Sequence, residues 1–159
     1  MNFTAKSRYA LKMMLDLADH QNEGPQKRHD IAMRQSIPID FMDQILIRLR
    51  ENGLIVSVRG RSGGLKLNRC ADVISLWEIF YAVEDNVYPV KCLTNNDCKL
   101  EHTCISVEAW ADVIHMFKDN LSQKSLKATL EKWQARQRQL QHPNSSPTVQ
   151  NSGTPIPCS

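Results

Sequence analysis

Apolar side chains recur at helical spacing in three successive stretches at the start of the chain. Positions three and four apart share one face of a helix, so the pattern predicts helices over residues 5–20, 27–35 and 39–52. Gly53 stands where a left-handed residue commonly follows the last turn of a helix. The third helix has an apolar stripe and a polar outer face, and a tight turn joins it to the second. These features predict a helix-turn-helix.

A strand-like pattern follows directly. Residues 54–58 are mostly β-branched or apolar, residues 59–64 form a glycine-rich turn, and 65–67 alternate as a return strand. A hairpin placed immediately after a helix-turn-helix predicts a two-stranded wing. Ser75 and Glu78 then have the spacing of a capping box, which predicts a fourth helix running to about Val83.

The C-terminal part is predicted to form two further helices. Ser106 is expected to cap the longer one, whose apolar residues follow the three–four spacing of a heptad seam and form the expected dimer interface. These residues are Val107, Trp110, Ile114, Phe117 and Leu121. A last helix, about 125–140, is expected to bury Leu126, Leu130 and Trp133. From residue 142 the chain is rich in Pro, Ser and Asn, and we expect disorder.

The predicted fold is mainly α: a winged helix-turn-helix with a two-stranded wing, a cysteine loop and a long C-terminal dimerisation helix. Its boundaries are 1–88 for the DNA-binding domain, 89–105 for the loop, 106–141 for the dimerisation helices and 142–159 for the tail. A length of 159 residues with 42% hydrophobic content is enough for one core.

Composition excludes only a few classes of protein. A formal net charge of +3 does not by itself indicate nucleic acid. No signal peptide and no apolar run near the ~18 residues of a membrane span are evident. We therefore expect a cytoplasmic protein without a membrane partner, with its five cysteines reduced.

Several polar side chains occupy positions suited to reading DNA. Groups on the outer face of the third helix can hydrogen-bond to base edges, and arginines at a wing tip can enter a minor groove or clamp phosphates. Basic residues of the first helix can hold the phosphate backbone. The base-reading candidates are Asp40, Asp43 and Gln44, the wing candidates Arg59 and Arg61, and the backbone candidates Lys6, Arg8 and Lys12. The alternative is a solvated helix and an ordinary surface hairpin.

Three cysteines stand at equal spacing in a polar stretch. Five residues separate Cys92 from Cys98, and five separate Cys98 from Cys104. Thiolates are soft ligands, so this set suits an iron–sulfur cluster or a cysteine-rich zinc site, although the short C-x-x-C knuckle of many zinc sites is absent. The alternatives are three unconnected thiols or a redox pair. A fourth ligand could come from a partner chain or from Asp97, Glu101, His102 or Glu108. We expect neither Cys70 nor Cys158 to be a ligand.

Residues 4–10 (TAKSRYA), 49–54 (LRENGL) and 57–64 (SVRGRSGG), followed by the three cysteines, resemble the Rrf-two family of winged-helix regulators. The resemblance covers residues 1 to about 135 and is nearest to the IscR branch of iron–sulfur cluster regulators, with the NsrR and RirA branches as relatives. It implies a homodimer on a double-stranded DNA operator with two half-sites. It also implies an iron–sulfur cluster held by Cys92, Cys98 and Cys104 near the dimerisation helix.

The chain departs from the family pattern at two places. Val107 stands where the IscR branch has a metal-binding histidine, and Ser7-Arg8 stand where the NsrR branch has an acidic residue. The identity of the fourth ligand is therefore left open, with His102 and Glu108 as the main candidates. The cluster type is likewise left open between 2Fe–2S and 4Fe–4S.

The resemblance implies a cluster-sensing transcriptional regulator, either a repressor or a dual regulator, rather than an enzyme. Genes of cluster assembly, iron supply or nitrosative stress are the expected targets. The first alternative is a zinc-bound or cluster-free DNA-binding regulator. The second is a cysteine-dependent redox enzyme, but the sequence has no nucleophile elbow, P-loop or dinucleotide fingerprint.

Overall fold

The computed structural model describes residues 4–85, 87 and 104–141. Six α-helices, a short 3-10 helix (Gln21–Glu23) and one two-stranded antiparallel sheet occupy these residues. In chain order the α-helices and strands are α1 (Ala5–Asp19), α2 (Arg28–Gln35), α3 (Ile39–Glu51), β1 (Ile55–Val58), β2 (Gly64–Leu67), α4 (Leu76–Val83), α5 (Val107–Ser122) and α6 (Leu126–Gln141). The predicted helices and strands lie within about one residue of these bounds, and the predicted winged helix-turn-helix is confirmed.

Helix α1 lies at the centre of the fold and contacts α2, α3, α4 and α6. Its side chains Ala10, Met13 and Met14 are completely buried. The buried face of α3 (Met42, Ile45, Leu46 and Leu49) belongs to the same hydrophobic core. Because α3 is fixed along its whole apolar stripe, its opposite face is held outward in a defined orientation.

The turn between α2 and α3 is tight because Ser36 adopts a left-handed conformation, with φ of 52°. Its N–H donates to the Met33 carbonyl, and the N–H of Ile37 donates to Ala32 over 2.9 Å. These bonds satisfy carbonyls that the end of α2 would otherwise leave unpaired. Buried Ile37 then anchors the turn to the core before α3 begins.

The wing is an antiparallel hairpin in which Ile55 pairs with Leu67 and Val58 pairs with Gly64. The segment before α2 joins its inner edge, because Gln26 and Leu65 exchange two backbone hydrogen bonds of 2.8 Å. A Cβ on Gly64 would lie 2.5 Å from the Gln26 carbonyl oxygen, so only glycine permits this approach. These bonds attach the wing to the helix-turn-helix. The position of the wing therefore does not depend only on the chain connection between α3 and β1.

The capping box that opens α4 is confirmed, since the Ser75 hydroxyl accepts from the Glu78 N–H and the Glu78 carboxylate accepts from the Ser75 N–H. Backbone hydrogen bonds join the start of α6 to the start of α4. The N–H of Leu76 donates to Lys124, and that of Leu126 donates to Ile74 over 2.8 Å. Leu126 is fully buried as a result.

The expectation that Trp133 is buried is wrong, because half of its surface is exposed. It lies with Leu15 and Leu130 on the wall of an open cavity of about 260 Å³ between α1 and α6. Leu126 of α6 belongs to the hydrophobic core, Leu130 packs against that core, and Gln134 donates to Asp19 of α1 over 2.7 Å. No helix among the described residues is long and apolar enough to cross a membrane. The tail expected to be disordered lies outside the described residues.

Candidate nucleic-acid interface and cysteine site

The outer face of α3 presents the predicted base-reading residues. Asp40, Asp43 and Gln44 are all exposed, while the opposite stripe of the helix is buried. Asp40 lies in the first turn of α3, where a carboxylate also interacts favourably with the positive end of the helix dipole. Ile47, one turn after Asp43 and Gln44, is exposed on the same side of the helix.

Asp43 is not a free carboxylate. The guanidinium of Arg28, at the first position of α2, donates to its Oδ1, and both side chains are about half exposed. This ion pair links the two helices of the helix-turn-helix on their solvent side. It also offsets the repulsion that a bare carboxylate at this position would exert on a DNA phosphate.

The wing candidates Arg59 and Arg61 are exposed on either side of Gly60, whose φ is 113°. Arg8 is also exposed. Lys6 is engaged within the chain, because its Nζ lies 3.3 Å from Asp85 Oδ2. A phosphate contact by Lys6 would therefore compete with this ion pair.

Residues 84 and 85 join α4 to the segment that leads into the cysteine loop, and both are held by other elements. Glu84 Oε1 accepts hydrogen bonds from the backbone N–H and hydroxyl of Thr4 and from the hydroxyl of Ser7. Asp85 accepts from Lys6 of α1 and, over 2.6 Å, from Arg48 of α3. The entrance to the loop is thus connected directly to the first helix and to the recognition-helix candidate.

The electrostatics of this junction favour ionised carboxylates. Burial raises the pKa of Glu84, but the hydrogen bonds from Ser7 and Thr4 outweigh it and the net shift is downward. Arg48 and then Lys6 lower the pKa of Asp85 by hydrogen bonding and charge. Both carboxylates are therefore ionised at neutral pH.

Cys104 lies at the other end of the loop, immediately before α5. Its Sγ is 3.3 Å from the Ser106 hydroxyl, and this hydrogen bond, followed by the backbone N–H of Ser106, lowers the pKa of the thiol. Ser106 is the N-cap residue of α5, as predicted, but its hydroxyl faces the sulfur and makes no side-chain capping bond. Cys104 thus sits where a helix N-terminus and a hydroxyl both favour a thiolate.

The remaining metal-site candidates are divided between two regions. Cys92, Cys98 and His102 lie outside the described residues. Glu108 is exposed in the first turn of α5, one helical turn beyond Cys104, and Val107 is half-buried. Within the parts that the structure describes, no group of three His, Cys, Asp or Glu side chains could hold a metal ion. A site built on the three cysteines therefore depends on the loop between residues 87 and 104.

Cys70, which follows β2, is half-buried and disulfide-bonded. The expectation of reduced thiols is wrong at this position. The described Cys104 thiol is free, so the other cysteine of the disulfide lies outside the described residues.

Helix α5 presents an apolar surface that the other described residues do not cover. None of its sixteen residues, all of them described, is buried. Phe117 packs edge-on against Trp77 of α4 at 6.3 Å between ring centroids, and Leu121 packs against the core. Trp110, which is 38% exposed, lies with Val113 and Met116 on the outer side of the helix. The predicted seam therefore divides between a face toward α4 and a face toward solvent.

Sequence reasoning missed several contributors to these sites. Arg28, Glu84 and Asp85 had no local signal, because their partners lie 15 to 80 residues away along the chain. Val113 and Met116 fall outside the heptad seam but are exposed beside it. In the sequence, the only signal for these two residues was their apolar character next to the predicted seam.

Comparison with known proteins identifies the family. Residues 3–132 match the family model Rrf2, described as an iron-dependent transcriptional regulator. The HTH-type transcriptional regulator IscR of Erwinia tasmaniensis is 38% identical over 126 residues, which are 79% of this chain and 76% of that protein. The putative HTH-type transcriptional regulator ORF2 of Azotobacter vinelandii is 37% identical over 79% of this chain and 77% of its own length.

Solved structures agree with this result. An IscR structure from T. potens superposes with a TM-score of 0.70 and 26% identity, covering 86% of this chain and 91% of that one. CymR, the global cysteine regulator of B. subtilis, superposes with a TM-score of 0.65 and 26% identity, covering 83% and 98%. These relatives are transcriptional regulators and not enzymes. The chain therefore belongs to the Rrf2 family of transcriptional regulators.

Proposed function

We propose that this regulator is a homodimer that binds an operator in double-stranded DNA and that an iron–sulfur cluster on Cys92, Cys98 and Cys104 sets its affinity. The observation that carries the proposal is the attachment of the cysteine loop. Its entrance is bonded to α1 and α3 through Glu84 and Asp85, and its exit places Cys104 at the start of α5.

The DNA contacts follow from the exposed polar face of α3. With α3 in a major groove, Gln44 is suited to adenine and Asp40 and Asp43 are suited to accept from cytosine N4. Arg59 and Arg61 at the wing tip would contact phosphate or a minor groove alongside, and Arg8 would hold the backbone. These roles are assigned by position and chemistry, as expected for a winged helix-turn-helix.

The cysteine loop would couple the cluster to DNA affinity through its two ends. When bound, the cluster supplies a centre that iron shortage, oxygen or nitric oxide removes or modifies. The chain's own residues transmit the change. Asp85 holds Arg48 of α3, and Cys104 precedes α5, so a rearranged loop shifts the recognition helix and the dimer helix together. Two half-sites about 34 Å apart make affinity sensitive to such shifts.

The residues present fit an iron–sulfur centre. Three thiolates spaced evenly in a short loop are soft donors, and Cys104 already has a hydroxyl neighbour at the N-terminus of a helix. Val107 has no donor atom, so the fourth ligand is proposed to be His102 or Glu108. This set of donors is suited to either a 2Fe–2S or a 4Fe–4S cluster. The resemblance to IscR points to genes of cluster assembly or iron supply as targets, with nitrosative-stress genes as the alternative.

The proposal is tested by purifying the full chain without oxygen and measuring visible absorption together with iron, sulfide and zinc per chain. We expect a coloured protein whose iron is lost in the Cys92→Ala, Cys98→Ala and Cys104→Ala variants but retained in Cys158→Ala, the matched control. DNA binding is then compared between cluster-loaded and cluster-free protein. Comparison of His102→Ala with Glu108→Gln, by cluster lifetime in air, identifies the fourth ligand.

Two results would contradict the proposal. Colourless protein with one zinc per chain would replace the cluster with a structural metal. Equal DNA affinity with and without the cluster would leave a DNA-binding regulator that does not sense through it.

A further inference from the structure

Ile47 is a large apolar side chain on the otherwise polar outer face of α3. It lies three and four residues after Gln44 and Asp43, so the three share one side of the helix. The exposed fraction of Ile47 is 52%, and the core side of α3 is formed by other residues. The fold therefore does not require an isoleucine at this position.

The direction of the side chain places it in the proposed interface. Helical side chains lean toward the N-terminus, so Ile47 covers the surface over the turn that carries Asp43 and Gln44. The neighbouring Arg48 is held by Asp85 over 2.6 Å and is drawn toward the loop. Ile47 is thus the apolar group adjacent to the polar pair.

We propose that Ile47 is a specificity-determining residue that contacts the C5-methyl group of a thymine in the major groove. The inference rests on the proposed function, in which α3 enters that groove. The thymine methyl is the apolar feature by which the major groove distinguishes thymine from other bases. Four residues of helix advance about 6 Å, and bases along one strand are spaced about 3.4 Å apart. The thymine therefore lies within about two base pairs of the position that Asp43 reads.

The test begins with the full-length protein, cluster-loaded and cluster-free, and a library of duplexes with a randomised 30-base-pair segment. The wild type should enrich a two-half-site sequence containing a fixed thymine in each half. Each thymine of the enriched duplex is then replaced singly by deoxyuridine, which removes only the methyl group. Dissociation constants are measured at one fixed salt concentration, because phosphate contacts make affinity strongly salt-dependent.

We expect one thymine per half-site at which deoxyuridine weakens wild-type binding about fourfold, the effect of leaving one methyl group unburied, and about 15-fold when both half-sites are changed. The Ile47→Ala variant should bind the thymine and deoxyuridine duplexes equally. Met33→Ala, which truncates an exposed apolar side chain on α2, should keep the wild-type ratio. Unchanged thermal unfolding of Ile47→Ala would confirm that the loss is not one of folding.

The outcomes separate this inference from the proposal on which it rests. An enriched sequence with a flat deoxyuridine profile, or an Ile47→Ala variant that keeps the fourfold ratio, overturns the assignment of Ile47 and leaves the DNA-binding surface standing. Failure of both forms of the wild type to enrich any sequence overturns the surface and Ile47 together.

Discussion

Truncation of Trp110 measures whether α5 forms the dimer interface. A tryptophan side chain buries up to about 250 Å², and 38% of Trp110 is exposed in the single chain, which leaves about 95 Å² for a partner. At about 25 cal/mol per Å², complete coverage is worth about 2.4 kcal/mol for each copy. A two-fold interface contains two copies, so Trp110→Ala should weaken the dimer by at most about 5 kcal/mol, a factor on the order of 10³ in its dissociation constant.

The assay is sedimentation velocity over nanomolar to micromolar concentrations of the full chain. Trp133→Ala is the matched control, because half of this tryptophan is exposed but it lies on α6, beside α1. The wild type and Trp133→Ala should sediment as dimers at concentrations where Trp110→Ala is a monomer. A Trp110→Ala protein that remains dimeric throughout, or equal weakening by both variants, would refute the assignment of the interface to α5.

Three further predictions concern hydrogen bonds and ion pairs within the winged helix-turn-helix, residues 1–88. Asp16→Ala removes a fully buried carboxylate that Arg34 holds through two hydrogen bonds, of 3.0 and 2.6 Å. It should lower the free energy of unfolding by about 2–4 kcal/mol, measured in urea with Asp72→Ala, which truncates an exposed aspartate, as control. Ser7→Ala removes a bond that lowers the pKa of Glu84. This carboxylate stabilises the fold when ionised, so the cost of Ser7→Ala should be largest at neutral pH and shrink as pH falls through that lowered pKa; a cost independent of pH would contradict the contact. Asp85→Asn weakens the attachment of the loop to α3, so the ratio of DNA dissociation constants with and without the cluster should move toward one; an unchanged ratio would exclude this route.

The helices and strands could be predicted from the sequence because their signals are local. The capping box at Ser75 and Glu78, the left-handed Gly53 and the periodic stripe of α3 each depend on residues within one or two turns. These signals also place the polar face of α3 outward. The main features of the candidate DNA surface therefore follow from spacing alone.

Contacts between elements were not predictable in the same way. Nothing near Asp43 in the sequence indicates that Arg28 pairs with it, since the pair depends on how closely α2 and α3 pack. Trp133 follows a helical stripe yet stays half exposed, because it lines an open cavity between α6 and α1. Periodicity identifies a face of a helix but not how far a neighbouring element covers it.

The cysteine loop illustrates why these long-range contacts matter for function. Thiol spacing alone indicates a metal site and gives no route from that site to DNA. The proposed route runs through Glu84 and Asp85, which bond to α1 and α3 ahead of the loop, and through Cys104, which precedes α5. In the proposed dimer, a centre held between these attachments would act on the orientation of each recognition helix and on the distance between the two. Because binding at two half-sites would depend on both quantities, one change in the loop would be enough to alter the affinity for the whole operator.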